Sequence, residues 1–212
     1  MNSLNIAPTK SSQIRLKREL AMAEDGFRLL EQKREILVME LMRLLDQVKA
    51  VQTELSERQE KAYATLRKAL AFNGYYEMHR IGEGIRYEHG IAAETRVVAG
   101  VRVPSLHVKQ GEFHSQFGFV GTDSLVDRTM EDFLALTETA SRLAELETAV
   151  WLLARELRKT QRRVNALEHI FLPRYRETLH FIVEALESKE LDSFFTMKMV
   201  KKNLEKNAEE GN

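Results

Sequence analysis

Apolar residues return every three and four positions along both halves of the chain. In the first half the series runs Leu16, Leu20, Ala23, Phe27, Leu30, Arg34, Leu37, Leu41, Leu44, Val48, Val51, Leu55, Arg58 and Ala62, broken only by the two arginines. A solitary amphipathic helix drifts toward a 3.6-residue period, whereas strict 3-4 spacing predicts a left-handed supercoil. The second half repeats the pattern with Leu143, Leu146, Val150, Leu153, Leu157, Thr160, Val164, Leu167 and Phe171. The frame then moves by one residue, to Leu172, Tyr175, Leu179, Ile182 and Leu186. Pro173 stands at the shift, where its missing N–H and its ring predict a kink or frame slip.

Helix breakers divide these halves. Of the ten glycines, all but Gly26 and Gly211 lie between positions 74 and 121, and Pro104 joins them there. The expected organisation is an N-terminal tail over 1–11, a first coil helix over 12–72, an insert over 73–123, a second coil helix over 124–206 and a C-terminal tail over 207–212. A helix of roughly 60 residues is about 90 Å long, against a radius of gyration of ~17 Å for a compact chain of this length. The fold class is therefore mainly α: a long antiparallel two-helix coiled coil, with a small Gly-rich, partly β insert at the end opposite the termini. Within the insert, TRVVAGVRV at 95–103 reads as a hairpin broken at Ala99-Gly100, and SQFGFV at 115–120 as a further short strand.

The heptads also suggest a register. One frame sets Arg34 against Arg174, two like charges on a partly buried seam, which is unfavourable. The alternative sets Arg34 against Leu167 within reach of Glu168, lets Arg58 approach Glu145 or Glu147, and brings together Phe27 with Tyr175 and Leu41 with Thr160. Gly26 interrupts neither frame, so the helix is expected to continue through it, with a neighbouring backbone approaching closely.

Composition narrows the function. Hydrophobic residues form 43% of the chain, enough for a core, and 32 basic residues balance 32 acidic ones. That balance argues against a nucleic-acid binder and suits helix faces with interspersed charges. Cysteine is absent, which removes disulfides and thiolate chemistry. No apolar stretch approaches the roughly 20 residues of a membrane span, and no signal peptide opens the chain. A soluble, cytoplasmic protein without membrane insertion is expected.

Catalytic chemistry finds little support. His79, His89, His107 and His114 match no zinc spacing, and His169 and His180 fall on a helix that can solvate them. Gly82-Glu83-Gly84 is no phosphate loop, and no GxSxG occurs. Nearly all the carboxylates fall on polar heptad positions, where solvation is the default, and Trp151 reads as an apolar group at the seam's edge. No catalytic, metal or cofactor site is assigned. Of the basic runs, that at 155–163 reads as a solvated helix face, whereas Lys198, Lys201 and Lys202 join Lys10, Arg15, Lys17 and Arg18 at one end, predicting a cationic tip.

Specific residues then resemble a family. Pro8-Thr9-Lys10, Gly26-Phe27-Arg28-Leu29-Leu30 with Lys33-Arg34-Glu35, and Arg162-Arg163-Val164-Asn165-Ala166-Leu167-Glu168 before Pro173 are similar to the D subunit of V-type and archaeal-type rotary ATPases. Phe194-Phe195 with Lys198, Lys201 and Lys202 resembles that family's basic C-terminal end; the insert matches only weakly. The resemblance implies a non-catalytic central rotor shaft, peripheral to the membrane. Its tip would enter the hexamer of catalytic A and regulatory B subunits, while the opposite part binds the small F subunit and stands on the C (d-type) subunit above the membrane ring. Rotation would couple ATP hydrolysis or synthesis to H+ or Na+ transport. The alternatives are a coiled-coil scaffold or export-apparatus stalk protein, which shares the heptads but not the combined motifs, and an enzyme housed in the insert.

Overall fold

A computed structural model describes residues 6–85, 90–109 and 123–210. The chain forms helix α1 (Lys10–Asn73), helix α2 (Tyr75–Gly84), strands β1 (Gly90–Val98) and β2 (Val101–Lys109), helix α3 (Ser124–Ala166), a π-helical turn (Leu167–Phe171) and helix α4 (Leu172–Glu210). The predicted strand at 115–120 lies outside the described residues. Local chemistry explains the boundaries. Thr9 caps α1, its Oγ1 accepting the Ser12 N–H at 3.1 Å. Gly74, at φ +83°, turns the chain between α1 and α2. Asp123 opens α3, its carboxylate accepting the Ser124 N–H at 2.7 Å.

These helices form a coiled coil, and the chain divides into two compact units. The central unit, Glu35–Arg158, carries most of the core. Leu37, Leu44, Val48 and Val51 of α1 pack with Leu146, Ala149 and Leu153 of α3, and Val103 of β2 joins them with no exposed surface. The helices run antiparallel, since Gln52 donates to Glu147 while Lys61 pairs with Asp132. The register differs from the heptad expectation. Arg58 reaches the Ala135 carbonyl at 3.2 Å and pairs with Glu54 on its own helix, not with Glu145 or Glu147. Two side-chain contacts hold this register: Lys61 and Thr65 bond the buried Asp132, and Tyr63 meets Phe133 edge-on. The heptads could not anticipate them, because they involve residues off the predicted seam.

The hairpin follows from its turn. Ala99 and Gly100 both take positive φ, 50° and 76°, as a two-residue type I′ connection requires. Val98 pairs with Val101, and the register continues through Thr95 opposite Pro104 to Gly90 opposite Lys109. Counting outward from the turn, alternate pairs exchange hydrogen bonds, so Pro104 falls where its missing donor faces away from β1. The same parity aims the Leu106 N–H outward, and Glu145 of α3 accepts it at 2.9 Å. Arg96 lies 3.5 Å from the same carboxylate. The hairpin thus lies back along the coil instead of stopping where α1 ends, with Val98, Ala99 and Val101 packed against the core cluster. Meanwhile α2 stays near the end of α1, where its Met78 and Ile81 line a groove with Leu66, Val126, Met130 and Phe133.

The terminal unit comprises Met1–Arg34 and Lys159–Asn212. Its helices are again antiparallel: Lys10 pairs with Glu190 at 2.6 Å and Glu24 with Arg176 at 2.8 Å. Leu16, Val164, Leu172 and Ile182 are buried, and Thr160 and Thr178 with them. The π turn answers the one-residue slip in the heptads. The Leu172 N–H bonds the Leu167 carbonyl five residues back, so the turn absorbs one extra residue just before Pro173. Because Leu172 takes the inward position, Phe171, which the heptads assign to the seam, stands 45% exposed. Arg34 likewise departs from expectation: it bonds Gln161 and pairs with Glu31, and Glu168 instead lies beside His169. The helix does continue through Gly26, but a Cβ there would meet nothing within 4 Å. The predicted close backbone approach is absent.

Candidate functional site

Helix α4 runs past the start of its partner, α1. Lys10, the first residue of α1, lies against Glu190, and Lys189 reaches the Pro8 carbonyl, so α4 continues beyond Glu190 as a single helix. Every described side chain from 187 to 204 is exposed. Leu191, Phe194, Phe195, Met197, Met199, Val200 and Leu204 are all more than half exposed. At 3.6 residues per turn they spread round the whole circumference, with Lys198, Lys201 and Lys202 interleaved and no acidic residue between Ser193 and Leu204. A surface helix confines its apolar residues to one stripe, whereas one apolar all round is ordinarily enclosed. Phe194 and Phe195 meet edge-on at 6.3 Å.

The predicted cationic cluster is divided along the unit. Lys198, Lys201 and Lys202 sit on the projecting helix, the first about 12 Å beyond the level of Glu190 at 1.5 Å per residue. Lys10 lies at the base of the projection, where the hydrogen bond and charge of Glu190 raise its ammonium above the usual lysine range. Arg15 pairs loosely with Glu19 at 3.8 Å, and Lys17 and Arg18 are exposed further inward. Of these seven cationic residues, only Lys198, Lys201 and Lys202 therefore share a surface with the exposed apolar groups of the projecting helix.

The remaining seam residues distribute by burial. In the central unit Leu37, Leu44, Val48, Val51, Leu146 and Leu153 are buried, and Leu41, Val150 and Leu157 half-buried. In the terminal unit Leu16, Val164 and Ile182 are buried, and Leu20, Phe27, Leu30, Leu167, Tyr175, Leu179 and Leu186 half-buried. Trp151, assigned to the seam's edge, is 63% exposed, with the Arg155 guanidinium 5.8 Å from its ring. No group of three metal-ligating side chains occurs among the described residues.

Two features escaped the heptads. Asp132 is buried; burial pushes its carboxyl upward, but hydrogen bonds from Lys61 and Thr65 and the charges of Lys61 and Arg128 outweigh this and lower it below the usual range. The second is an exposed aromatic group at the bend after α1. Phe72, Tyr75 and Tyr76 face solvent, and Tyr75 stacks on His79 at 5.9 Å. The signal was the sequence FNGYY, aromatics on both sides of a helix-breaking glycine.

Together these features define a helical coiled-coil protein with a β-hairpin insert and a projecting C-terminal helix. The profile of the ATP synthase D-subunit family matches residues 12–202. The D subunit of the A-type ATP synthase of Pyrococcus horikoshii is 38% identical over 205 residues, covering 95% of this chain and 96% of that protein. The second V-type ATP synthase D subunit of Treponema pallidum is 39% identical over 196 residues, covering 92% and 94%. The D subunit of the V-type ATP synthase of Thermotoga neapolitana is 32% identical over 201 residues, covering 95% and 99%. This chain belongs to the ATP synthase D-subunit family.

Proposed function

We propose that the chain is the non-catalytic central rotor shaft of an A/V-type ATPase. One observation carries the reading: the single helix beyond Glu190 exposes apolar side chains in every direction and adds three lysines along one side, so a flat or one-sided partner would leave much of it in water. A surrounding partner, apolar inside and bearing acidic groups, satisfies both chemistries at once. The hexamer of A and B subunits is that partner, and Lys198, Lys201 and Lys202 are its principal charged contacts; Lys10, Arg15, Lys17 and Arg18 lie at the entrance.

The central unit supplies the other connections. Its exposed Phe72, Tyr75 and Tyr76 offer the large, rigid aromatic groups that dominate protein interfaces, here toward the C subunit above the membrane ring, while the F subunit binds elsewhere on the same unit. No helix among the described residues is long and apolar enough to cross a membrane, which suits a protein held at the membrane by its partners. A packed seam transmits torque because twisting one helix disturbs many side-chain contacts together. In this way rotation couples ATP hydrolysis or synthesis to H+ or Na+ movement.

Reconstitution tests the reading. The purified chain should hydrolyse no ATP, and should restore ATP-driven ion transport to vesicles that hold the ring and hexamer but lack the shaft. Sustained turnover by the chain alone, or full coupling without it, would refute the proposal.

A further inference from the structure

Four features of the terminal unit converge on one short stretch. The first is the π turn Leu167–Phe171, which contains no buried residue and precedes Pro173, whose nitrogen donates no hydrogen bond. The second is sparse packing. No residue of α1 from 17 to 34 is buried, and across from them Leu172 is the sole buried position between Val164 and Thr178. The third is Gly26, mid-helix and beside open space, where it weakens α1 without serving a contact. The fourth is a polar layer: Arg34 donates to Gln161 at 3.4 Å, and Gln161 donates to Asn165 at 2.7 Å. Glu31 Oε2 lies 2.9 Å from an Arg34 nitrogen, yet it is buried without an aligned hydrogen bond.

On either side the packing recovers. Outward, Leu16, Thr178 and Ile182 are buried; inward, Thr160 and Val164 are. Local stability follows buried apolar contact and an unbroken hydrogen-bond ladder, so a local minimum lies inside the paired coil, separate from the unpaired helix beyond Glu190. We infer that residues 20–34 with 165–177 form a built-in joint, at which the outer stretch of the terminal coil twists and bends against the inner stretch. The π turn makes this possible without loss of register. It holds one surplus residue, so the seam on both sides keeps its pairing with α1 while the connection between them stays soft. The joint is a property of the isolated chain and stands or falls independently of the rotary reading.

Hydrogen exchange of the full chain, read by mass spectrometry, tests it. Amides at 24–33 and 166–172 should exchange at least about tenfold faster than those at 178–186 and at 153–164. Simple fraying would give a steady gradient toward the termini and overturn the joint. A second variant removes its cause. Deleting His169 together with Pro173→Ala shortens the interval from Val164 to Leu172 from eight residues to seven, which restores continuous heptads. The exchange maximum should then disappear, with helicity by circular dichroism retained. A folded variant that keeps the fast-exchanging stretch, or a variant that unfolds, would each overturn the inference, the latter by showing that the π turn is required for the fold.

Discussion

Lys61 Nζ lies 2.7 Å from Oδ1 of Asp132, joining α1 to α3 through a carboxylate that is itself buried. Thr65 donates to the other oxygen at 2.8 Å. Because the folded chain holds this carboxyl below its unfolded value, its contribution is complete above the unfolded pKa of about 4 and fades as pH falls through the folded value. Asp132→Asn should therefore cost about 2 kcal/mol at neutral pH. The difference from the parent should shrink steadily as pH drops below about 4. Urea unfolding of both chains across this range checks it; an equal gap at acid and neutral pH would remove the charge from the explanation.

Glu145 is predicted to be the latch of the hairpin. Its carboxylate accepts the outward Leu106 N–H and lies beside Arg96. Glu145→Ala should speed tryptic cleavage at Arg96 and Arg102 roughly tenfold, in keeping with the ~1.5 kcal/mol typical of a hydrogen bond to a charged group. Thermal unfolding of the helices should change little. Unaltered cleavage would mean that Val103 and its neighbours hold the hairpin unaided.

Gly26→Ala should stabilise the chain by about 0.5–1 kcal/mol, since the helix is continuous there and the added methyl meets no atom within 4 Å. Denaturant midpoints decide the matter. A loss of stability would imply a close contact on that face after all.

Reversing Lys198, Lys201 and Lys202 to glutamate should leave the isolated chain as stable as before, because all three are exposed. Binding to the A and B hexamer should weaken, and the deficit should be largest at low ionic strength, where exposed charges are least screened. Binding titrations at two salt concentrations make the comparison; a loss independent of salt would point to disturbed helix packing.

The coil was legible because burial recurs at a fixed interval, and two long helices leave such a pattern few partners except each other. The hairpin turn was legible for a similar reason: valine runs around Ala99-Gly100 have one economical way to reverse. Even the π turn had a trace, in the consecutive Phe171 and Leu172 that a regular helix cannot both bury. Asp132 and Glu145 left no such trace. Each is one acidic residue among many on a helix, distinguished only by what the fold carries up to it. The docking of the hairpin was equally hidden, since alternating valines declare an apolar face without naming the surface it covers. Gly26 misled because a glycine tolerated by a helix looks the same as one a helix requires.

The position of Val103 has a consequence for biosynthesis. Its core cluster draws Leu37 and Leu44 from early in the chain and Leu153 from late. During translation the α1 residues emerge with their apolar seam uncovered and wait for roughly a hundred further residues before α3 appears. At about 5–20 residues per second that delay lasts roughly 5–20 seconds. Throughout it, the nascent helix presents a heptad stripe able to pair with another copy of itself. The hairpin leaves the ribosome before α3 and can cover part of the stripe first, so its valines would shield the growing chain from its neighbours until the proper partner arrives.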